Sequence, residues 1–368
     1  MSKRILLIID GLPGGGAEKV VLSLSKGLIE RGHRVSLFSL RTVCDYPMPA
    51  QVDYQVIEDR CKKPWRKLTE LHRRAALLDK AIKAAEQSGG RYDLIVSHLH
   101  KTDRIVSRSK VLEPEKTWFC LHGVFSASYL ARRSGFSLWL KKFKTRCVYQ
   151  DRNLIGVSQF VLDDLKSSFY VKPRRERVIF NPFDFDAVRQ LSLDPCDMAN
   201  EDYVIHVGRF HQTKRHDRLL RAYAASGLTA KLLLIGQGSS ESTDKITQLV
   251  DELGINDRVL FKGFIANPYP YIRHAKLLIV SSDSEGFGNV LVEALICQTA
   301  VVSTRCPGGP ISIMTGDLSR GLAEMNVASL AETIREVYFT PPNIADLDLD
   351  AYSIEKICNQ YVDLINKK

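Results

Sequence analysis

Short apolar runs alternate with helical patterns along this 368-residue chain, and that rhythm limits the folds open to it. The runs lie at 4–9, 34–40, 93–97, 116–121 and 153–157, then at 203–208, 230–236, 258–261, 276–281 and 299–303. Strands separated by helices do not close as hairpins. They pair in parallel through right-handed crossovers, with helices covering the sheets. The length exceeds one core, and 45% apolar residues supply two.

Between the two series, Asn181-Pro182-Phe183-Asp184 and the stretch from Leu193 to Asp202 break the rhythm with proline and acidic residues. The expected division is 1–183, 184–346, and a closing segment 347–368. That segment carries Ile354, Ile357, Cys358, Tyr361, Val362 and Ile365 at helical spacing, and is expected to pack back toward the N-terminal domain. The architecture expected is α/β, with two Rossmann-like domains facing across a cleft, because ligands of open parallel sheets sit beyond the strands' carboxyl ends.

No 18-residue apolar run occurs, and the first run meets Asp10 and glycines too early for a signal peptide, so it reads as a buried strand. The eight cysteines show no C-x-x-C pair, which fits neither a zinc site nor a disulfide framework and points to the cytoplasm. Formal charge is +16 over residues 1–180 and −6 over the remainder, so an acidic partner is expected at the first half.

The first strand runs into Asp10-Gly11-Leu12-Pro13-Gly14-Gly15-Gly16-Ala17-Glu18-Lys19, where glycines either let backbone amides approach an anion at a helix start or make a tight turn. The spacing is not that of a dinucleotide fingerprint, and Val35 to Arg41 offers no acidic residue for a ribose, which takes most of the weight from the dehydrogenase class. In the second half, Gly208-Arg209 ends a strand and Lys214 follows five residues later. Two cations there suit a departing diphosphate, with solvated surface cations as the plain alternative. Ser281-Ser282-Asp283-Ser284-Glu285-Gly286-Phe287-Gly288-Asn289 follows another strand, with Glu293 farther into the next helix. A glycine-flanked helix start offers amides to phosphate or sugar oxygens, and carboxylates accept from hydroxyls.

In these residues the chain resembles the family-4 retaining glycosyltransferases of the GT-B fold. Glu285 and Glu293 match the family's E-x7-E in its full setting, and Gly208-Arg209 with Lys214 match its Gly-Arg-x4-Lys. Gly14-Gly15-Gly16-Ala17-Glu18, Gly32-His33-Arg34-Val35 and Leu234-Ile235-Gly236-Gln237-Gly238 extend the resemblance over nearly the whole chain. It implies that residues 1–183 bind the acceptor and 184–346 the nucleotide-sugar. Arg209 and Lys214 then hold the diphosphate, and Glu293 the ribose. Glu285 holds the transferred sugar with the amides of Gly286, Phe287 and Gly288. Gly208, Gly236 and Asn289 line the donor site, while Gly15, Gly16 and His122 serve the reacting centre; a core histidine is the plain alternative for His122. It also implies retention of anomeric configuration by front-side attack, with the leaving phosphate taking the acceptor's proton. One departure stands out: Ser312 occupies the position of the family's glutamate in Cys306-Pro307-Gly308-Gly309-Pro310-Ile311-Ser312.

No aspartate pair or histidine cluster of metal-ligand spacing accompanies the phosphate residues, so no metal and no cofactor are expected beyond the donor, a UDP-sugar. Residues 132–146 mix six cations with Phe136, Leu138, Trp139, Leu140 and Phe143, and a second basic run from Lys62 and Lys63 to Arg73 and Arg74 surrounds Trp65. These favour an anionic membrane surface and a lipid-linked glycan acceptor. In the competing reading, the aromatics are core residues of an ordinary helix. No nucleic-acid-binding motif appears. The expected activity extends a bacterial lipopolysaccharide or surface glycan. The alternatives are an epimerase of related fold, which needs no acceptor, and a silent sugar-nucleotide binder.

Overall fold

The computed structural model describes residues 2–13, 15–44, 47–62, 66–130 and 134–366, and divides into two compact units. One comprises Met1–Pro182 with Ala351–Lys368, and the other Phe183–Asp350.

The first unit holds β1 (Arg4–Ile9), β2 (Arg34–Ser39), β3 (Asp53–Val56), β4 (Leu94–His98), β5 (Thr117–Leu121), β6 (Asn153–Gly156) and β7 (Arg175–Val178), in the order β3-β2-β1-β4-β5-β6-β7. All pairs are parallel. In β1 all six residues are buried, as a central strand covered on both faces requires. Helix Gly16–Glu30 then lays Val20, Val21, Leu24 and Leu28 into the core at helical spacing. Each such side chain contributes about 1.5–3 kcal/mol by leaving water. The C-terminal helix Ile354–Asn366 belongs to this unit, burying Ile357, Cys358 and Tyr361, and Gly27 leaves room for Ile354 and Cys358 where a Cβ would stand 2.6 Å from the former.

The second unit holds β8 (Tyr203–Val207), β9 (Lys231–Ile235), β10 (Val259–Gly263), β11 (Leu277–Val280), β12 (Ala300–Thr304) and β13 (Leu322–Ala323), in the order β10-β9-β8-β11-β12-β13 and again parallel. Two Rossmann-like halves are thus observed. Strand order reverses between β1 and β4 in one unit and between β8 and β11 in the other, and at such switch points the loops diverge to leave a crevice. The interrupted stretch after Pro182 contains a helix, Phe185–Leu191, whose start is capped by Asp184 accepting from the Ala187 amide.

All eight cysteines are free thiols. Among the described residues, no helix is long and apolar enough to cross a membrane.

Candidate active site

In the second unit the loops leaving β8 and β11 are tied together. The Ser281 hydroxyl donates to the Lys214 carbonyl at 2.7 Å, and the Asp283 amide to the Thr213 carbonyl at 2.8 Å. Arg218, its side chain buried, donates to the Ser281 carbonyl at 2.9 Å and meets the Asp283 carboxylate at 2.7 Å, where Arg215 joins it at 3.1 Å. Arg215 holds a left-handed backbone, φ 51°, which ends the single turn Gln212–Lys214 and starts helix His216–Ser226.

This clamp brings Lys214 Nζ to 2.7 Å from Glu285 Oε1, with the two side chains only 25% and 12% exposed. The Ser282 hydroxyl donates to the same carboxylate oxygen. Arg209, just beyond β8, is exposed, and among the described residues it has no carboxylate partner.

A third loop, after β12, holds Glu285 from behind. Its amide donates to the Pro307 carbonyl at 3.0 Å, and its carbonyl accepts from the Gly309 amide at 3.1 Å. The approach is so close that a Cβ on Gly308 would stand 1.4 Å from the Glu285 carbonyl oxygen, so the paired glycines are a steric requirement of this carboxylate's position. Ser312 lies in the first turn that follows, its hydroxyl donating to the Gly309 carbonyl at 2.8 Å; it makes a local helix-start contact where the resembling family carries a carboxylate.

Phe287 is buried, and Gly288 opens helix Asn289–Ile296. Glu293 is buried on that helix and accepts from the Tyr269 hydroxyl at 3.0 Å. Gly236, beyond β9, passes so near Gly208 that a Cβ would stand 1.9 Å from the Gly208 carbonyl oxygen. The fold therefore brings Gly208, Arg209, Lys214, Gly236 and Glu285 together around the β8–β11 switch point. Buried beneath them is His206, which sequence reasoning missed. Its Nδ1–H donates to the Ile279 carbonyl at 2.8 Å, and burial pushes its pKa down to about 4.

In the first unit, Gly15 caps helix Gly16–Glu30, while Gly14 lies outside the described residues. Asp10, buried at the end of β1, receives Arg41 at 2.6 Å and Arg74 at 3.4 Å. His122 follows β5, and its Nε2 lies 3.0 Å from Nδ1 of His98, fully buried at the end of β4. The β4–β5 register sets His98 opposite Cys120, and the atoms of His98, Cys120 and His122 lie within 4.8 Å of one another. Among the described residues this is the group with metal-ligand composition. The two rings already bond each other, burial pushes the Cys120 thiol up to about 12, and burial pushes His122 down to about 4. At neutral pH the cluster is therefore an uncharged histidine pair beside a protonated thiol.

The basic segment forms helix Gly135–Tyr149. Phe136, Trp139 and Phe143 are 74%, 57% and 53% exposed and stack in a ladder with centroid spacings of 5.5 and 5.6 Å, while Thr145, Val148 and Tyr149 face the core. The aromatics are surface residues. Lys63, Trp65, Arg132 and Arg133 lie outside the described residues.

Residues 14–187 match the family model Glycosyltransferase Family 4, and residues 198–349 match Glycosyl transferases group 1. The chain belongs to the GT-B glycosyltransferases. Among relatives of this family, the Campylobacter jejuni N-acetylgalactosamine-N,N'-diacetylbacillosaminyl-diphospho-undecaprenol 4-alpha-N-acetylgalactosaminyltransferase is 28% identical over 318 residues, covering 86% of this chain and 84% of that one. The D-inositol 3-phosphate glycosyltransferase of Mycolicibacterium smegmatis is 36% identical over 181 residues, 47% of this chain and 40% of its own. The crystal structure of Anabaena Alr3699/HepE in complex with UDP and glucose superposes with a TM-score of 0.73 at 18% identity, over 99% of each chain, and so shares the GT-B fold.

Proposed function

We propose that this glycosyltransferase moves a hexose or N-acetylhexosamine from a UDP-sugar to a lipid-linked saccharide at an anionic membrane surface, in synthesis of a bacterial surface glycan such as lipopolysaccharide. The observation that carries the reading is the Lys214–Glu285 pair held at the β8–β11 switch point with Arg209 beside it. Cations and a carboxylate side by side match the two ends of one ligand, a diphosphate and a sugar.

In this mechanism the bond between the anomeric carbon and the phosphate oxygen breaks, and charge grows on the departing diphosphate. Arg209 and Lys214 neutralise it, a task that elsewhere falls to a divalent ion. Glu285, with the backbone of Gly286, Phe287 and Gly288, orients the sugar hydroxyls. Glu293 takes the ribose, and Asn289 with Gly208 and Gly236 completes the donor site. The acceptor hydroxyl attacks the face that the phosphate leaves. Its proton passes to the departing phosphate oxygen, so configuration is retained without a covalent enzyme intermediate. In the first unit, Gly15, Gly16 and His122 serve the acceptor and the transferred sugar. His122, neutral at physiological pH, acts there as a hydrogen-bonding group.

Two comparisons support the donor and acceptor classes: the Campylobacter relative is named for a diphospho-undecaprenol saccharide, and the Anabaena structure holds UDP. The exposed aromatic ladder on a cationic helix supports peripheral attachment to an acidic lipid surface on the cytoplasmic face. Thermal shift against UDP, GDP, ADP and CMP with EDTA present, followed by transfer assays with UDP-hexoses, tests the proposal. Selective stabilisation by UDP and acceptor-dependent transfer are expected. Sugar isomerisation without acceptor would instead establish an epimerase.

A further inference from the structure

A cavity of about 730 Å³ opens in the first unit where the loops after β2 and β3 meet the first turns of helix Arg66–Gly89. That volume lies in the range of small-molecule sites. Among the described residues, its wall carries seven Lys or Arg side chains against three carboxylates.

Each carboxylate is already matched. Glu58 meets Arg60 at 3.0 Å, Glu70 meets Arg74 at 3.3 Å, and Arg73 donates from Nε to both oxygens of Asp59 at 2.8 and 2.9 Å. Arg41 and Arg74 converge on buried Asp10, which fastens the cavity wall to the end of β1 at the switch point. Lys62, Arg66 and Lys67 remain; all three are exposed, and among the described residues none has a carboxylate partner. Three cations around one cavity repel one another unless a polyanion enters, and a guanidinium beside two ammonium groups suits the tetrahedral oxygens of a phosphate ester or diphosphate.

We infer that this cavity holds the phosphate or diphosphate group of the acceptor, with Lys62, Arg66 and Lys67 as its contacts and the Asp59–Arg73 and Asp10–Arg41–Arg74 pairs as its fixed wall. The inference rests on the transferase reading above and names the acceptor class: a saccharide linked through phosphate rather than a neutral glycan.

The test titrates the whole chain with inorganic pyrophosphate at low salt, with UDP at saturation so that the donor's diphosphate site is filled. Wild type is expected to bind, and Lys62→Ala/Arg66→Ala/Lys67→Ala to bind at least about tenfold more weakly. Lys142→Ala/Lys144→Ala/Arg146→Ala, an equal change of net charge on the other basic helix, is expected to leave that binding unchanged. Absence of pyrophosphate binding, or equal loss in both triple variants, overturns the inference.

In turnover, the first triple variant is expected to lose at least about tenfold in kcat/KM with a lipid-diphosphate-linked saccharide and nothing with the same saccharide lacking phosphate. Equal losses with both acceptors overturn it. Unchanged flotation on phosphatidylglycerol vesicles is expected from the same variant; lost flotation with full turnover would assign the cations to bulk lipid headgroups and overturn it as well. Failure of UDP itself to bind would instead count against the donor site, while the pyrophosphate arm still decides the cavity.

Discussion

Lys214 Nζ lies 2.7 Å from Glu285 Oε1, although 71 residues of chain separate them. Neither side chain is placed by its own helix or strand. Arg218, Asp283, Ser281 and the Thr213 and Lys214 carbonyls hold the two loops in register, and the pair follows from that. If the pair is donor machinery rather than a stabilising salt bridge, Lys214→Ala and Glu285→Gln should each lower kcat by about two to three orders of magnitude. Unfolding should stay cooperative, at a cost of up to about 3–5 kcal/mol for removing one partner of a largely buried pair. Steady-state kinetics beside thermal denaturation checks this. Wild-type turnover from either variant would remove the pair from the mechanism.

The contact behind Glu285 yields a second expectation. Gly308→Ala places a methyl group into the Glu285 carbonyl at a residue with φ +123°, so the loop after β12 must withdraw. The expected cost is about 3 kcal/mol or more, with loss of UDP-induced stabilisation. Gly316→Ala, at φ +58° with nothing within 4 Å of the new methyl, should cost only about 1 kcal/mol and leave UDP binding intact. Paired melting curves with and without UDP distinguish the two, and equal behaviour would mean that the Gly308 contact does not position Glu285.

Ten of the thirteen strands among the described residues are legible as apolar runs; most are covered on both faces and need no polar alternation, while β10, an edge strand, is legible through Val259, Leu260 and Phe261 although only Val259 is buried. The other three are edge or near-edge pieces. β3 is mostly exposed, β7 reads Arg-Glu-Arg-Val, and β13 is two residues long, so none forms an apolar run. Arg209, Lys214 and Glu285 are legible because they are charged residues just beyond the carboxyl ends of apolar runs, where the proposed diphosphate and sugar would meet them. The clamp of Arg218 on Asp283 is not, since it depends on which strands become neighbours. The His98–His122 pair is hidden for the same reason: only the β4–β5 register places His98 opposite Cys120 and within reach of the ring two residues on.

Burial also fixes a pH dependence. His100 is pushed down to about 3, and His122 and His206 to about 4, in each case mainly by desolvation of the charged ring. An unfolded chain protonates these rings near 6.5, so between about 6.5 and 4 it binds protons that the folded chain does not. Their contribution is complete above about pH 6.5 and is lost as pH falls toward 4. Melting temperature should therefore decline from pH 7 to 4.5, and His206→Asn, whose amide can still donate to the Ile279 carbonyl, should flatten part of that slope. A melting temperature that rises on acidification would contradict the neutral, buried assignment.

The ladder of Phe136, Trp139 and Phe143 on a helix with Lys142, Lys144 and Arg146 sets apolar rings beside cations at the surface. Replacing all three rings by serine should leave folding intact, because they are exposed, and should weaken flotation on phosphatidylglycerol vesicles by at least about tenfold. Flotation of the wild type should weaken as salt screens the cations. Salt-independent binding, or none to acidic vesicles, would contradict the membrane assignment.

The proposed diphosphate site is built from side-chain cations at the β8–β11 switch point, and calorimetric titration of UDP in EDTA against wild type, Arg209→Ala and Lys214→Ala tests it. Wild type is expected to bind UDP without a divalent ion and each variant to bind at least about tenfold more weakly, the loss of a charge-assisted contact. Binding that appears only when a divalent ion is restored, or that is equal in all three proteins, would contradict it.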